Sequence, residues 1–161
     1  MAIHRHIALH PLSKQHHQGL LVSLLLEKGL KKRVPVKELR DFIIQFWEQE
    51  LAAHFDMEES IFAPYSILYP ILTNQFAQMK LDHQEIRFLI QKINNESRVD
   101  QSDSINTFAA LLEKHIRFEE RELFNALQET LSDIELVDVL QQLESILEKD
   151  FCTMYPVKFW E

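Results

Sequence analysis

Residues that interrupt helices are scarce in this chain. Only 2 Gly and 5 Pro occur among 161 residues, too few for the frequent tight turns of a β-sandwich or barrel. The single cysteine, Cys152, excludes an intramolecular disulfide and fits a reducing compartment. The longest apolar run, Leu20 to Leu26, is broken by Ser23 and falls far short of the roughly 20 residues a membrane span needs. No charged-then-apolar leader opens the chain, so a cytoplasmic location is expected. Positive charge is also in deficit. The 17 Lys and Arg against 25 Asp and Glu leave a net charge of −8, which argues against a nucleic-acid partner because phosphate binding needs clustered basic residues. The one basic cluster, Lys31-Lys32-Arg33, reads as the end of a helix.

What is abundant is Leu, Glu, Gln and Ile, a helix-forming mixture. The length suits one domain over residues 1–161 with one core: a bundle over about 12–130, then an appended helix and tail over 131–161. Helix A is predicted from an N-cap at Ser13 to a C-terminal cap at Gly29. Helix B opens at Pro35, carries the stripe Leu39, Phe42, Ile43, Phe46, Trp47, Leu51, His54, and ends before Pro64. Pro64 and Pro70 then bracket a connecting segment. Helix C covers about Ile71 to Ile93, with His83 among the apolar positions Phe76, Met79, Ile86 and Ile90. A polar loop, Asn94 to Asp103, leads to helix D, about Ser104 to Thr130, with His115 on its apolar face. Ser132 with Glu135 forms a capping box that opens helix E, which continues to about Lys149. The tail Phe151 to Glu161 reads as a strap over the bundle or as a contact for a second copy or another protein. The expected fold is all-α, an antiparallel up-down-up-down four-helix bundle with an additional C-terminal helix.

The chemistry lies in a motif that occurs twice, His54-x-x-x-Glu58 and His115-x-x-x-Glu119. Four residues place imidazole and carboxylate one turn apart on the same helical face, where both reach one metal or a close pair. A lone inward histidine is ordinarily a hydrogen-bonded core residue, and a lone His-x-x-x-Glu is ordinarily an exposed helix pair. Here both copies are phased to the apolar face. Each is preceded, some 30 to 40 residues upstream, by a helix with its own inward histidine: His16 or His17 before His54, and His83 before His115. The chain thus contains two helix pairs, and folding them about a pseudo-twofold axis gathers four imidazoles and two carboxylates. Leu12, four residues before the ligand as Met79 precedes His83, favours His16; matching Leu20 and Leu24 to Ile86 and Ile90 favours His17. Both stay candidates. Glu59 and Glu120 sit one position round the helix and suit an outer role. Nitrogen and oxygen donors without thiolate suit Fe, Mn or Zn, and metal is expected to stabilise the fold. His4, His6 and His10 precede helix A in a less ordered stretch and suit solvated or capping roles.

Leu12-Ser-Lys-Gln-His-His, His54-x-x-x-Glu58-Glu59 leading to Phe62 and Pro64, Leu81-Asp82-His83 with Ile86, and His115-x-x-x-Glu119-Glu120 leading to Phe124 together cover about residues 10–125. In these features the chain resembles the hemerythrin-like, or HHE cation-binding, family. The resemblance implies two iron ions in a non-heme centre bridged by carboxylates and an oxo or hydroxo group. It also implies a small diatomic or peroxide ligand such as O2 or NO. Oxygen carriers of that family have a further histidine one turn after the one matching His83, where this chain has Arg87. That departure favours sensing or redox chemistry over reversible O2 carriage. The alternatives are a di-iron oxidase or peroxidase-like enzyme, an iron–sulfur repair protein, and a metal-free helical interaction protein. The Glu-x-x-His order of ferritin-like centres does not occur at these positions.

Overall fold

A computed structural model describes residues 4–95, 101–144 and 150–161, and every regular element among them is helical. A 3-10 turn, Ile7–Leu9, leads into α1 (His10–Lys31). Next come α2 (Val36–Phe46), a π turn (Trp47–Leu51) and α3 (Ala52–Leu68); then a 3-10 turn (Pro70–Leu72) and α4 (Thr73–Asn95). α5 (Ser102–Phe118), a second π turn (Glu119–Leu123) and α6 (Phe124–Thr130) follow, then α7 (Asp133–Leu143) and α8 (Phe151–Met154). The backbone stays right-handed helical through both π turns. α1, α2–α3, α4 and α5–α6 are therefore four rods, and they form the expected antiparallel bundle.

Several boundaries differ from the sequence expectation, each for a physical reason. α1 starts at His10, with Pro11 in its first turn. Ser13 is therefore inside the helix rather than its cap, and its hydroxyl donates to Glu120 Oε1 at 2.7 Å. The segment before it is anchored as well: Ala8 and Leu9 are buried, and His6 Nδ1 accepts from the Ala8 amide. At the other end α1 runs past Gly29. The chain leaves it through Arg33 at φ 57°, with the Val34 amide bonded to the Gly29 carbonyl and the Arg33 amide to that of Leu30, a Schellman closure without the usual glycine. Gly29 serves packing instead: a Cβ there would stand 2.6 Å from Leu39 and 3.0 Å from Phe159.

α3 does not stop before Pro64 but continues to Leu68. An interior proline costs about 3 kcal/mol, and the burial of Ile61, Phe62 and Tyr65 around it offsets that at about 1.5–3 kcal/mol per large apolar side chain. α4 and α5 start within two residues of expectation, and the capping box of Ser132 and Glu135 opens α7. The expected extension of helix E to Lys149 and most of the expected 94–103 loop lie outside the described residues.

Two π turns were not anticipated. In α3, Glu58 is followed by buried Ile61 and Phe62, three and four residues on; in the matching rod, Glu119 is followed by buried Leu123 and Phe124, four and five on. Upstream the imbalance reverses. Phe46 and Ile43 precede His54 by eight and eleven residues, whereas Phe108 and Ile105 precede His115 by seven and ten. Each rod carries one extra residue, on opposite sides of its His/Glu pair, and a π turn absorbs it without breaking the helix. The core-facing stripe thus keeps its direction.

The core is also not one continuous body. One buried apolar cluster is centred on Val22, Phe42, Phe55, Ile90, Phe108 and the tail; another on Leu12, Phe62, Met79, Phe124 and Val139. A polar layer separates them. The tail packs inward as a strap: Tyr155, Phe159 and Trp160 all lie against Phe42.

Candidate metal centre

Each of α1, α3, α4 and α5 delivers one buried imidazole to the polar layer: His16, His54, His83 and His115, with Glu58 and Glu119 between them. His17, the other candidate on helix A, is exposed and borders an open groove with Leu20, Leu24, Glu113 and Arg117. The two helices A and C therefore contribute through equivalent positions, His16 and His83.

All four histidines aim Nε2 inward. His16 Nε2 lies 2.9 Å from Glu119 Oε2 and 3.5 Å from Glu58 Oε1; His54 Nε2 lies 3.1 Å from Glu58 Oε1. His83 Nε2 stands 3.3 Å from Glu58 Oε2 and 3.6 Å from Glu119 Oε1, and His115 Nε2 3.2 Å from Glu119 Oε1. Two overlapping donor sets result, His16/His54/Glu58/Glu119 and His83/His115/Glu58/Glu119, each with its atoms within 4.8 Å of one another. The two glutamates are common to both. Despite the proximity, both oxygens of Glu58 and Glu119 and the Nε2 atoms of His16, His83 and His115 are buried without a hydrogen bond. Leaving that many polar atoms unsatisfied would cost several kcal/mol, so the donor set fits cations placed among them.

Every Nδ1 is held from outside. Glu120 Oε1 accepts from His16 at 2.7 Å, Gln15 Oε1 from His54 at 2.6 Å, Glu59 Oε1 from His83 at 2.8 Å and Asp82 Oδ2 from His115 at 3.2 Å. These acceptors put the proton on Nδ1 and leave the Nε2 lone pair facing the centre. The pattern obeys the pseudo-twofold: Glu120 acts on α1 as Glu59 acts on α4, and Gln15 acts on α3 as Asp82 acts on α5.

A second ring encloses the first. Arg87 binds Glu59 at 2.7 Å and lies over the Phe55 ring, which stacks on His83 at 3.8 Å. Arg5 binds Glu120 at 3.1 Å and lies over the Phe124 ring, which stacks on His16 at 5.1 Å. The two closed circuits are alike in chemistry, although Arg5 comes from the N-terminal segment and Arg87 from mid-α4. Sequence reading gave Glu59 and Glu120 an outer role but assigned none to Arg5, Gln15 or Asp82. The last two were legible in principle, since each stands immediately before an inward histidine. Arg87 also pairs with Asp56 at 3.1 Å, so the position discussed above is committed to carboxylates.

The electrostatics follow from the geometry. Burial disfavours a charged His16 ring, but Glu119, Glu120 and Glu58 outweigh it and raise its pKa well above the usual imidazole range. His83 behaves alike: against burial, Glu119 and Glu58 raise it to about 10. Burial would raise the Glu58 carboxyl, yet His54, His16 and His83 hold it well below the usual range. Burial and the charge of Glu58 both push Glu119 up, and His115, His16 and His83 bring it down. Without a cation the carboxylates favour the protonated rings of His16 and His83, and a cation would compete with those protons for Nε2.

Beside His16, His54 and His115 lies a cavity of about 10 Å³, walled mainly by Gly19, Phe46, Leu51, Phe55, Leu112 and Ile116, with Gln15 and Glu50 also lining it. That is room for about one water-sized molecule. Cys152 is not a donor; it is buried on α8, where burial and then Glu50 and Asp150 push its thiol up to about 12. No helix among the described residues is long and apolar enough to cross a membrane.

Comparison with curated proteins and with solved structures gave no match. Over residues 10–127 the chain matches the family described as "Hemerythrin HHE cation binding domain".

Proposed function

The chain belongs to the hemerythrin HHE cation-binding family, and from that premise we propose that it is a non-heme di-iron protein that binds or senses a small diatomic or peroxide ligand. The observation that carries this reading is the convergence of buried, unbonded Nε2 and carboxylate oxygen atoms on two overlapping donor sets. Bound iron would supply a Lewis-acidic, redox-active centre. The chain supplies everything else. Glu58 and Glu119, common to both donor sets, and the four imidazoles, each fixed in tautomer from outside, would hold the iron. Phe55 and Phe124 cover the rings of His83 and His16 and exclude bulk water. The mainly apolar cavity, about one water in size, favours a small neutral ligand over a larger or charged one.

Metal analysis with optical spectroscopy tests the proposal. The expected result is about two iron per chain, as two donor sets require, with a near-ultraviolet ligand-to-iron band that changes on reduction or on exposure to O2 or NO. A preparation without transition metal whose Tm does not rise on anaerobic Fe(II) loading would overturn it. One observation favours turnover as a second reading: Glu50 places a carboxylate at the cavity beside His54, where a proton donor would serve peroxide chemistry. Steady peroxide consumption, lost in Glu50→Gln at unchanged iron content, would support that reading.

A further inference from the structure

The pseudo-twofold that relates the two halves of the centre fails at the acceptors of His54 and His115. Glu59 and Glu120 are the same residue, held by Arg87 and Arg5 in equivalent circuits. The remaining acceptors differ. His54 Nδ1 donates to the neutral amide oxygen of Gln15, while His115 Nδ1 donates to the carboxylate of Asp82. Asp82 is buried and braced, because Gln78 Nε2 donates to its other oxygen at 2.8 Å.

Both acceptors fix the imidazole tautomer, but only a carboxylate adds negative charge. A charge-assisted acceptor on Nδ1 increases electron density at Nε2 and makes the ring a stronger donor to a cation. Its own charge also attracts a dication directly. We infer that the two half-sites bind metal unequally: the His83/His115 half, backed by Asp82, fills first and holds its ion, while the His16/His54 half, backed by Gln15, fills second and releases first. The cavity touches His16 and His54 of the weaker half and His115 of the tighter one, so an added ligand there would meet both halves. Asp82 and Gln15 are positioning residues that set this order through the histidines they hold. The inference rests on the cation-binding reading above and adds a sequence of loading to it.

The test is titration of the full metal-free chain with Co(II), followed by its visible absorption and by competition with a chelator of known affinity. Two steps are expected in the unmodified protein, the first tighter by about 10-fold or more, the scale on which outer partners act on metal affinity. His115→Ala should remove the tight step and His54→Ala the weak one. Asp82→Asn should weaken the first step by about 10- to 100-fold and bring the two together, and Asp82→Glu should restore the gap. Gln15→Glu should strengthen the second step, which loss of a merely structural contact would not do; this variant keeps the inference falsifiable even where Asp82→Asn fails to fold.

Two equal steps that neither Asp82→Asn nor Gln15→Glu moves would overturn the inference while leaving cation binding intact. No cobalt bound by the unmodified chain would overturn the cation-binding reading itself.

Discussion

Gly19→Ala separates the packing role of the cavity from its chemical role. Gly19 lies on α1 against the end of the Ile116 side chain, and a Cβ there would stand 2.5 Å from Ile116 Cδ1 and 3.8 Å from Cγ1. The first contact is impossible without movement, but the obstructing atom is a terminal methyl, so Ile116 can give way. The adjoining free space is the cavity of about 10 Å³ that both residues line, and the displaced methyl would occupy it. Replacing an interior helical glycine gains about 1 kcal/mol, and forcing an extra methyl into a packed core costs about 1–3 kcal/mol. The net expectation is a loss of about 0–2 kcal/mol, read from urea unfolding of the metal-free chain. In the iron-loaded chain, association of NO by stopped flow should slow by about tenfold or more, equivalent to at least about 1.4 kcal/mol. A stability loss well above 3 kcal/mol would mean that Ile116 cannot move. Unchanged NO kinetics at the expected stability would refute the cavity as the seat of the ligand.

Other outcomes follow from the same geometry. Anaerobic Fe(II) should raise the Tm of the unmodified chain, and Glu58→Ala or Glu119→Ala should abolish that rise, because each removes a donor common to both sets; calorimetry with and without iron decides it. The metal-free chain should be most stable between roughly pH 5 and 6.5. The contribution of Glu58 and Glu119, whose pKa values are lowered, is present above the ordinary carboxylate range and is lost as pH falls through those lowered values. That of His83 is full below pH 6.5 and is lost as pH rises through about 10, so a urea midpoint that climbs steadily from pH 7 to 10 would contradict the assigned ion pairs. Arg33→Gly should stabilise the chain by about 1 kcal/mol, since Arg33 closes α1 at φ 57°, a conformation that costs a side-chain-bearing residue about 1–2 kcal/mol. Chemical denaturation measures the gain.

Much of this protein is legible in its sequence because the signals are local. Helix content follows from the scarcity of Gly and Pro. The inward faces follow from apolar spacing, and the paired motifs at His54/Glu58 and His115/Glu119 follow from the one-turn reach of residues four apart. Those signals also brought in His83 and narrowed helix A to two adjacent histidines. What they could not supply is anything that depends on where a separate element lies.

Periodicity at adjacent residues cannot choose between His16 and His17. The packing of α1 against α5 turns His16 toward Glu119 and leaves His17 at the surface. Pro64 reads as a stop because a proline lacks an amide hydrogen, and only the burial of its neighbours carries the helix past it. The π turns are invisible to a fixed helical period, since each is a one-residue excess that shows only when the two halves are compared around a common centre. Arg5 stands far in sequence from the Glu120 it holds and carries no pattern of its own. The residue types and their local phase were determined by the sequence alone; which Nδ1 meets which acceptor, and hence the difference between Gln15 and Asp82, was decided only when four rods were brought together.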